Sequence, residues 1–454
     1  MSASAVARKG VTRPAYWLVA GALVVTAVIA GDYLLGQLDR PTAPAIHAPL
    51  DPDALRAGLG PRTYADAMVA VERGLSNARY RLQRDPQDWL YTEGVARALL
   101  ARYRLTARAE DLAESDRLLD RTMELAPWPA GPALLRASVS LGKHDLAGAL
   151  NALVRFESTT VPGGADEIAE AQSIRCEVAF ERGQLAQARE LCSGDDFGLR
   201  MRRANVLAKT GDTAQAAQII EGLLREPELP PSTVAMLALQ RASLAQATGD
   251  WPGSGRWVRA ADRIFPGYWL SEAYVAQQYA LEGDRDEARR RYALLAARTG
   301  DADVLDALAM LADSAGHKDE AADWAARAGA AWQARSALLP RAYASHQAEH
   351  LLLHGDPKAA LALAEADYRR RPFPSAIVHY AFALWRNGDA ARSLEVVQAG
   401  EAQGFLTADM KLAEAVAQGA LGNSPEAGQA LLAARRLNPH VDDAAQAFVS
   451  FQQD

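Results

Sequence analysis

From residue 61 to residue 454, apolar and polar positions follow the period of amphipathic helices, broken by short turns that carry a glycine. Aligned on the glycine between two helical stretches, one pattern recurs nine times, at Gly142, Gly183, Gly211, Gly249, Gly283, Gly316, Gly355, Gly388 and Gly422. The interval is widest from Gly142 to Gly183 and narrowest from Gly183 to Gly211, and its average matches the length of one helical hairpin. Five residues after each stands a small side chain: Ala147, Ala188, Ala216, Ser254, Ala288, Ala321, Ala360, Ser393 and Ala427. Seven residues before each stand Leu135, Cys176, Ala204, Ala242, Ala276, Ala309, Ala348, Ala381 and Ala415. Small residues at matched heights let two antiparallel helices approach closely, and Asp or Asn after the glycine can cap the second helix. One such hairpin cannot bury both of its apolar faces, so neighbours must stack.

Composition agrees with this reading. Alanine contributes 96 of 454 residues, which favours closely packed helices over sheets. Apolar residues make up 49% and charged residues 23%, a balance that buries a core and excludes intrinsic disorder. The net charge of −7 provides no field for a polyanion, so no nucleic-acid partner is expected.

The repeat resembles the tetratricopeptide repeat, a helix-turn-helix unit of about 34 residues. Its clearest copy runs from Trp269 to Gly300, with Ala276, Tyr279, Gly283, Asp284, Ala288, Tyr292 and Leu295 in the family's small and aromatic columns. The family's closing proline stands at Pro266, Pro372 and Pro439, each at the same distance beyond its turn glycine, Gly249, Gly355 and Gly422. Upstream, Trp89, Gly94 and Pro127 suggest a longer first copy, and the stripe Tyr64, Met68, Val71, Leu75 and Leu82 a cap. The expected fold is all-α, an alpha-solenoid or superhelix over residues 61–454. The resemblance implies that first helices line a concave groove for a protein or peptide partner. Its contact columns here hold Arg136; Arg202, Asn205 and Lys209; Tyr274 and Gln277; Asp303, Asp306 and Asp313; and His346, Glu349, His379, Phe382 and Trp385. The Lys and Asn set with which chaperone-binding members clamp a terminal carboxylate is not reproduced across consecutive repeats.

Ahead of the repeats, Pro14 to Gly31 is an uncharged, largely apolar run preceded by Arg8, Lys9 and Arg13. As a helix it is about 27 Å long, the thickness of a bilayer core. This predicts a cytoplasmic tail at 1–13, a transmembrane signal anchor at 14–38, a proline-rich linker at 39–60 and repeats in the periplasm of a bacterial inner-membrane protein. The competing reading is a signal peptide cut before Gly31, with Val28 and Ala30 at the cleavage positions.

Chemistry is sparse. No phosphate loop, nucleophile elbow or zinc-protease motif occurs, so neither catalysis nor a cofactor is expected. His346, His350 and His354 form one helical stripe near Glu349, but three ligands spread along about 12 Å of one helix cannot all reach one ion. A surface stripe is the simpler account. Cys176 and Cys192 fall at similar heights on facing helices, and both a disulfide and two free thiols in core columns remain open. Arginine runs at 289–291 and 369–371 read as solvated faces near helix ends. The functional expectation is a membrane-anchored scaffold for another protein in envelope assembly, secretion or polymer export. The alternative is a released periplasmic protein that holds a polysaccharide or peptide.

Overall fold

The computed structural model describes residues 49–449, and among these all regular structure is helical apart from one isolated bridge between Thr210 and Leu406. The array opens with α1 (Tyr64–Arg84), which lays Leu75 against Val95 and Leu99 of the next helix. Ten hairpins follow. They pair α2 (Trp89–Thr106) with α3 (Ala109–Leu125), α4 (Ala133–Gly142) with α5 (Leu146–Glu157), and α6 (Ala165–Glu181) with α7 (Leu185–Leu191). Next come α8 (Phe197–Ala208) with α9 (Thr213–Leu224), α10 (Pro231–Ala247) with α11 (Trp251–Ile264), and α12 (Trp269–Leu281) with α13 (Arg285–Thr299). The last four pair α14 (Ala302–Ser314) with α15 (Lys318–Leu338), α16 (Pro340–His354) with α17 (Pro357–Arg370), α18 (Pro374–Arg386) with α19 (Ala390–Ala402), and α20 (Ala408–Ala420) with α21 (Ser424–Leu437).

The small-residue columns do the work expected of them. All nine residues of the first-helix column are buried, and eight of nine in the second-helix column. The exception, Ala147, is exposed because the turn of α4 and α5 is made by His144 at φ 56°, two residues past Gly142. Counting from His144 restores the pattern: Ala137, seven before, and Ala149, five after, are both fully buried. Seven of the other eight glycines take φ between 72° and 93°, whereas Gly355 holds its register at φ −122°. Gly94 lies inside α2, and the first long hairpin turns instead at Ala107, φ 52°. The short interval from Gly183 to Gly211 is explained by α7, which has only seven residues.

What the repeat count did not indicate is how tightly the solenoid winds. Tips of early hairpins rest on the linkers that follow hairpins much later in the chain. The Lys209 carbonyl accepts a hydrogen bond from the Leu406 amide at 3.0 Å. Asn438 Nδ2 donates to the Gln246 carbonyl at 3.3 Å, and the His440 ring stacks on Trp251 at 4.1 Å. Trp269 Nε1 reaches the Leu105 carbonyl, and the Tyr64 amide donates to the Pro266 carbonyl. One apolar cluster joins Leu100, Tyr103 and Leu112 to Trp332, Leu339 and Tyr343, and another joins Phe180 and Cys176 to Phe373 and Phe405. The described part of the proline-rich stretch also lies on the array: Leu55 is buried, and Asp51 pairs with Arg256 at 2.7 Å.

Residues 14–38, expected to form the anchor, lie outside the described residues. Among the described residues no helix is long and apolar enough to cross a membrane. The longest, α1 and α15, each have 21 residues and carry charges along their length, from Asp66 and Glu72 to Arg84 in α1. The placement as a single-pass inner-membrane protein with periplasmic repeats is corrected accordingly, since no spanning helix among the described residues supports it.

The turn glycines separate two costs. At Gly249, φ 78°, an added Cβ would stand 2.7 Å from Asn438 Oδ1 and 2.8 Å from Pro439 Cδ, whereas at Gly283, φ 93°, it would meet nothing within 4 Å. Gly283→Ala should cost about 1–2 kcal/mol of backbone strain, and Gly249→Ala a further ~1–3 kcal/mol of overpacking. Equal urea midpoints for the two variants would show that the tip does not bear on the far linker.

Candidate functional site

The inner ends of α8 and α10 face the starts of α18 and α20 across the seam between turns, and a cavity of ≈ 110 Å³ lies between them. Its wall includes Asn205 and Lys209 from α8, Gln240 and Ser243 from α10, Ser375 from α18 and Thr407 ahead of α20. α8 ends there because Gly211, φ 89°, turns the chain, and the Lys209 carbonyl is bridged to Leu406. Across the cavity, Thr407 caps α20 by accepting from the Met410 amide, while Phe373 offers α18 no side-chain cap. First-turn N–H groups of α18 therefore sit at a polar rim, where a helix end carries partial positive charge. A space of this size suits one side chain or a few waters.

Of the residues expected from the groove columns, Asn205 and Lys209 reach this cavity. Tyr274 is fully buried behind it, with its hydroxyl 2.8 Å from Ser243 Oγ. Gln277 is fully buried on the same helix. The others are engaged elsewhere. Arg136 is paired with Asp116 and Asp120 of α3, and Arg202, 5% exposed, pairs with Glu177 at 2.8 Å. His379 lies 2.8 Å from Ser345 Oγ and 3.9 Å from Glu349, and Phe382 meets Trp385 edge to face at 6.4 Å. The histidine stripe is organised by Asp306, which accepts from Trp332 Nε1 at 2.7 Å and lies 2.7 Å from His350 Nδ1; His346 stacks on Trp332. Among the described residues no group of three or more ligand side chains could hold a metal ion.

Cys176 of α6 and Cys192, which caps α7, are joined by a disulfide with Cα atoms 5.6 Å apart. It closes the hairpin whose second helix, α7, is the shortest at seven residues and alone has little surface to bury.

Hairpins with left-handed turns, buried small columns and stacked neighbours define the architecture. The chain is a tetratricopeptide-like helical-repeat solenoid. No family model matches the chain, and neither does any curated protein. Among solved structures the solenoid is similar to yeast Tom70, at 15% identity over 85% of this chain and 83% of that one, TM-score 0.33. It is similar to the TPR domain of P58(IPK), at 15% identity over 80% and 97%, TM-score 0.27. A tetratricopeptide repeat protein from Parabacteroides merdae shares 13% identity over 56% and 99%, TM-score 0.33. At these scores none of the likenesses bears on what the solenoid binds.

The group that sequence patterning missed is a buried charge cluster at the seam. Arg371, expected on a solvated face, is 2% exposed and sits between Asp367, at 2.8 and 2.9 Å, and Glu181, at 3.3 Å, with His144 Nδ1 at 2.8 Å. The correction has a simple cause: the chain leaves α17 extended at Arg371, φ −145°, and turns the side chain inward onto the tips of two earlier hairpins. Arg369 remains exposed, and the 289–291 run lies on α13 with Arg290 and Arg291 paired to Glu287. Burial pushes the Asp367 carboxyl upward, but the adjoining Arg371 guanidinium outweighs it and holds the carboxyl below its ordinary range.

Two measurements follow. A depressed carboxyl contributes stability above its unfolded pKa of about 4 and loses it as pH falls through the folded value. Arg371→Met should cost about 3–5 kcal/mol at neutral pH by leaving buried carboxylates unpaired. It should also reverse the pH trend, because burial then raises the Asp367 pKa. The urea midpoint of the variant should rise relative to that of the parent between pH 7 and pH 5, and a relative fall would refute the pairing. Separately, unreduced protein should show no free thiol, and reduction should remove about 3 kcal/mol, the loop-closure value for a loop of this size. Two titratable thiols before reduction would contradict the bond.

Proposed function

We propose that the solenoid is a non-catalytic scaffold that takes a short segment of another protein at the seam between its turns, with Asn205 and Lys209 as the contact residues. The observation that carries this reading is their convergence, with Ser375 and Thr407, on one cavity whose opposite walls come from helices far apart in the chain. Polar side chains around a small opening can fix the orientation of an inserted side chain, while apolar neighbours such as Met201, Leu244 and Val378 exclude water. In this reading Tyr274 acts through Ser243, Arg202 and His379 tie the wall helices α8 and α18 to their neighbours, and Arg136 and Gln277 serve packing away from the cavity. Phe382 and Trp385 remain candidates for a flanking contact. No membrane or envelope role forms part of the proposal.

Selection of displayed peptides on the full chain, followed by binding to an Asn205→Ala, Lys209→Glu variant, tests it. Selected peptides should lose at least tenfold in affinity, about 1.4 kcal/mol. Peptides that bind both proteins equally would place the contact surface elsewhere.

A further inference from the structure

After α21 the described residues, 438–449, stay against the molecule. Asn438 and His440 fasten it to the tip of the fifth hairpin, and Arg435 pairs with Asp442. Residues 441–449, Val-Asp-Asp-Ala-Ala-Gln-Ala-Phe-Val, then run inward through a 3-10 turn, Ala444–Phe448. Val441, Ala447, Phe448 and Val449 are each at most 5% exposed. This turn touches α12 and α14, the first helices of the sixth and seventh hairpins. Phe448 enters the apolar cluster that contains Tyr274, Val304, Leu305 and Leu308, and the Arg285 guanidinium lies 5.1 Å over its ring. First helices are the ones whose inner face a hairpin solenoid offers to a partner. Here that face is filled by a peptide of the chain itself.

The seating has the features of ligand recognition. An aromatic anchor sits in an apolar pocket under a cation, small residues precede it, and backbone stays in a tight turn with few side-chain hydrogen bonds. Gln446 of the same segment also lines the cavity at the seam, so the tail and that cavity share a wall. We propose that residues 441–449 are a built-in occupant of the α12/α14 face, and that this face binds a partner segment of the same chemistry, small apolar residues followed by phenylalanine, once the tail is displaced. The inference rests on reading the chain as a segment-binding solenoid. Tethering gives the tail an effective concentration in the millimolar range, so a free segment competes only when it binds tightly or when the tail is loosened.

The test uses the full chain and, as probe, a fluorescent synthetic peptide with the sequence of residues 440–454. Parent protein should bind it weakly. Phe448→Ala should strengthen binding at least tenfold by emptying the pocket, and adding Arg285→Glu should remove that gain. Because Phe448 is a core residue, Asp442→Lys is the second variant: it breaks the pair with Arg435 and leaves every pocket residue in place, and it should also strengthen binding several-fold. Hydrogen exchange should then rise in 441–449 in both variants while the hydrogen bonds within α12 and α14 stay protected. Unchanged peptide affinity in the Asp442→Lys protein, with faster exchange in the tail, would overturn the proposal. In that outcome, displayed peptides that still depend on Lys209 would leave the scaffold reading standing, and the tail would be structural only.

Discussion

The structure depends on one turn of helical hairpins lying directly on the next. Stacking of neighbours alone would leave the array open, held by contacts between adjacent repeats. Here the tips of early hairpins meet the linkers of later ones, and the side-chain bonds that join them span sequence separations of 164, 192 and 227. Such contacts are costly in chain entropy and must be well made. They are of four kinds: hydrogen bonds to backbone carbonyls, glycine against proline, aromatic against aromatic, and the buried cluster around Arg371. The last is the most demanding, because a charge at 2% exposure is tolerable only when its partners are in place. Asp367 comes from its own helix, whereas Glu181 and His144 come from the other turn. An intact seam is what satisfies this guanidinium.

Closure changes the meaning of the inner face. In an open array the first helices present their polar columns to solvent, and those columns are where a partner is sought. In this solenoid most of the same positions serve the interior. Arg202 neutralises Glu177, Tyr274 bonds to Ser243, and Asp306 gathers the histidine stripe and Trp332. Where the seam is imperfectly filled a cavity remains, between Asn205 and Lys209 on one turn and the helix starts on the other. The tail uses a second stretch of inner face. Recognition and closure thus draw on the same surface.

Local signals in the chain determined the hairpins. A left-handed turn residue and a small side chain at a set distance on each side are constraints between residues less than one repeat apart, so they can be read in order along the chain. They marked nine of the ten hairpins, while the first hairpin and the cap helix were suggested by other residues, Trp89 and Pro127 and the apolar stripe from Tyr64 to Leu82; they erred at Gly142 because His144 adopts the turn conformation that glycine usually supplies. The closing prolines were legible as repeat ends, though not as the counterparts of distant glycines. Cys176 and Cys192 could be placed face to face for the same local reason.

Superhelical pitch was not legible, and with it went the fate of the inner face. Pitch is the sum of small rotations between hairpins, each set by side-chain volumes at one interface, and no single residue encodes it. That is why Arg371 looked like the end of a solvated run and proved to be the centre of a buried cluster. By itself the sequence determined which residues pair within a hairpin, since that geometry is fixed by backbone conformation over a few bonds. Only the tertiary structure decided which hairpins meet across the seam, because that depends on rotations accumulated over about five repeats.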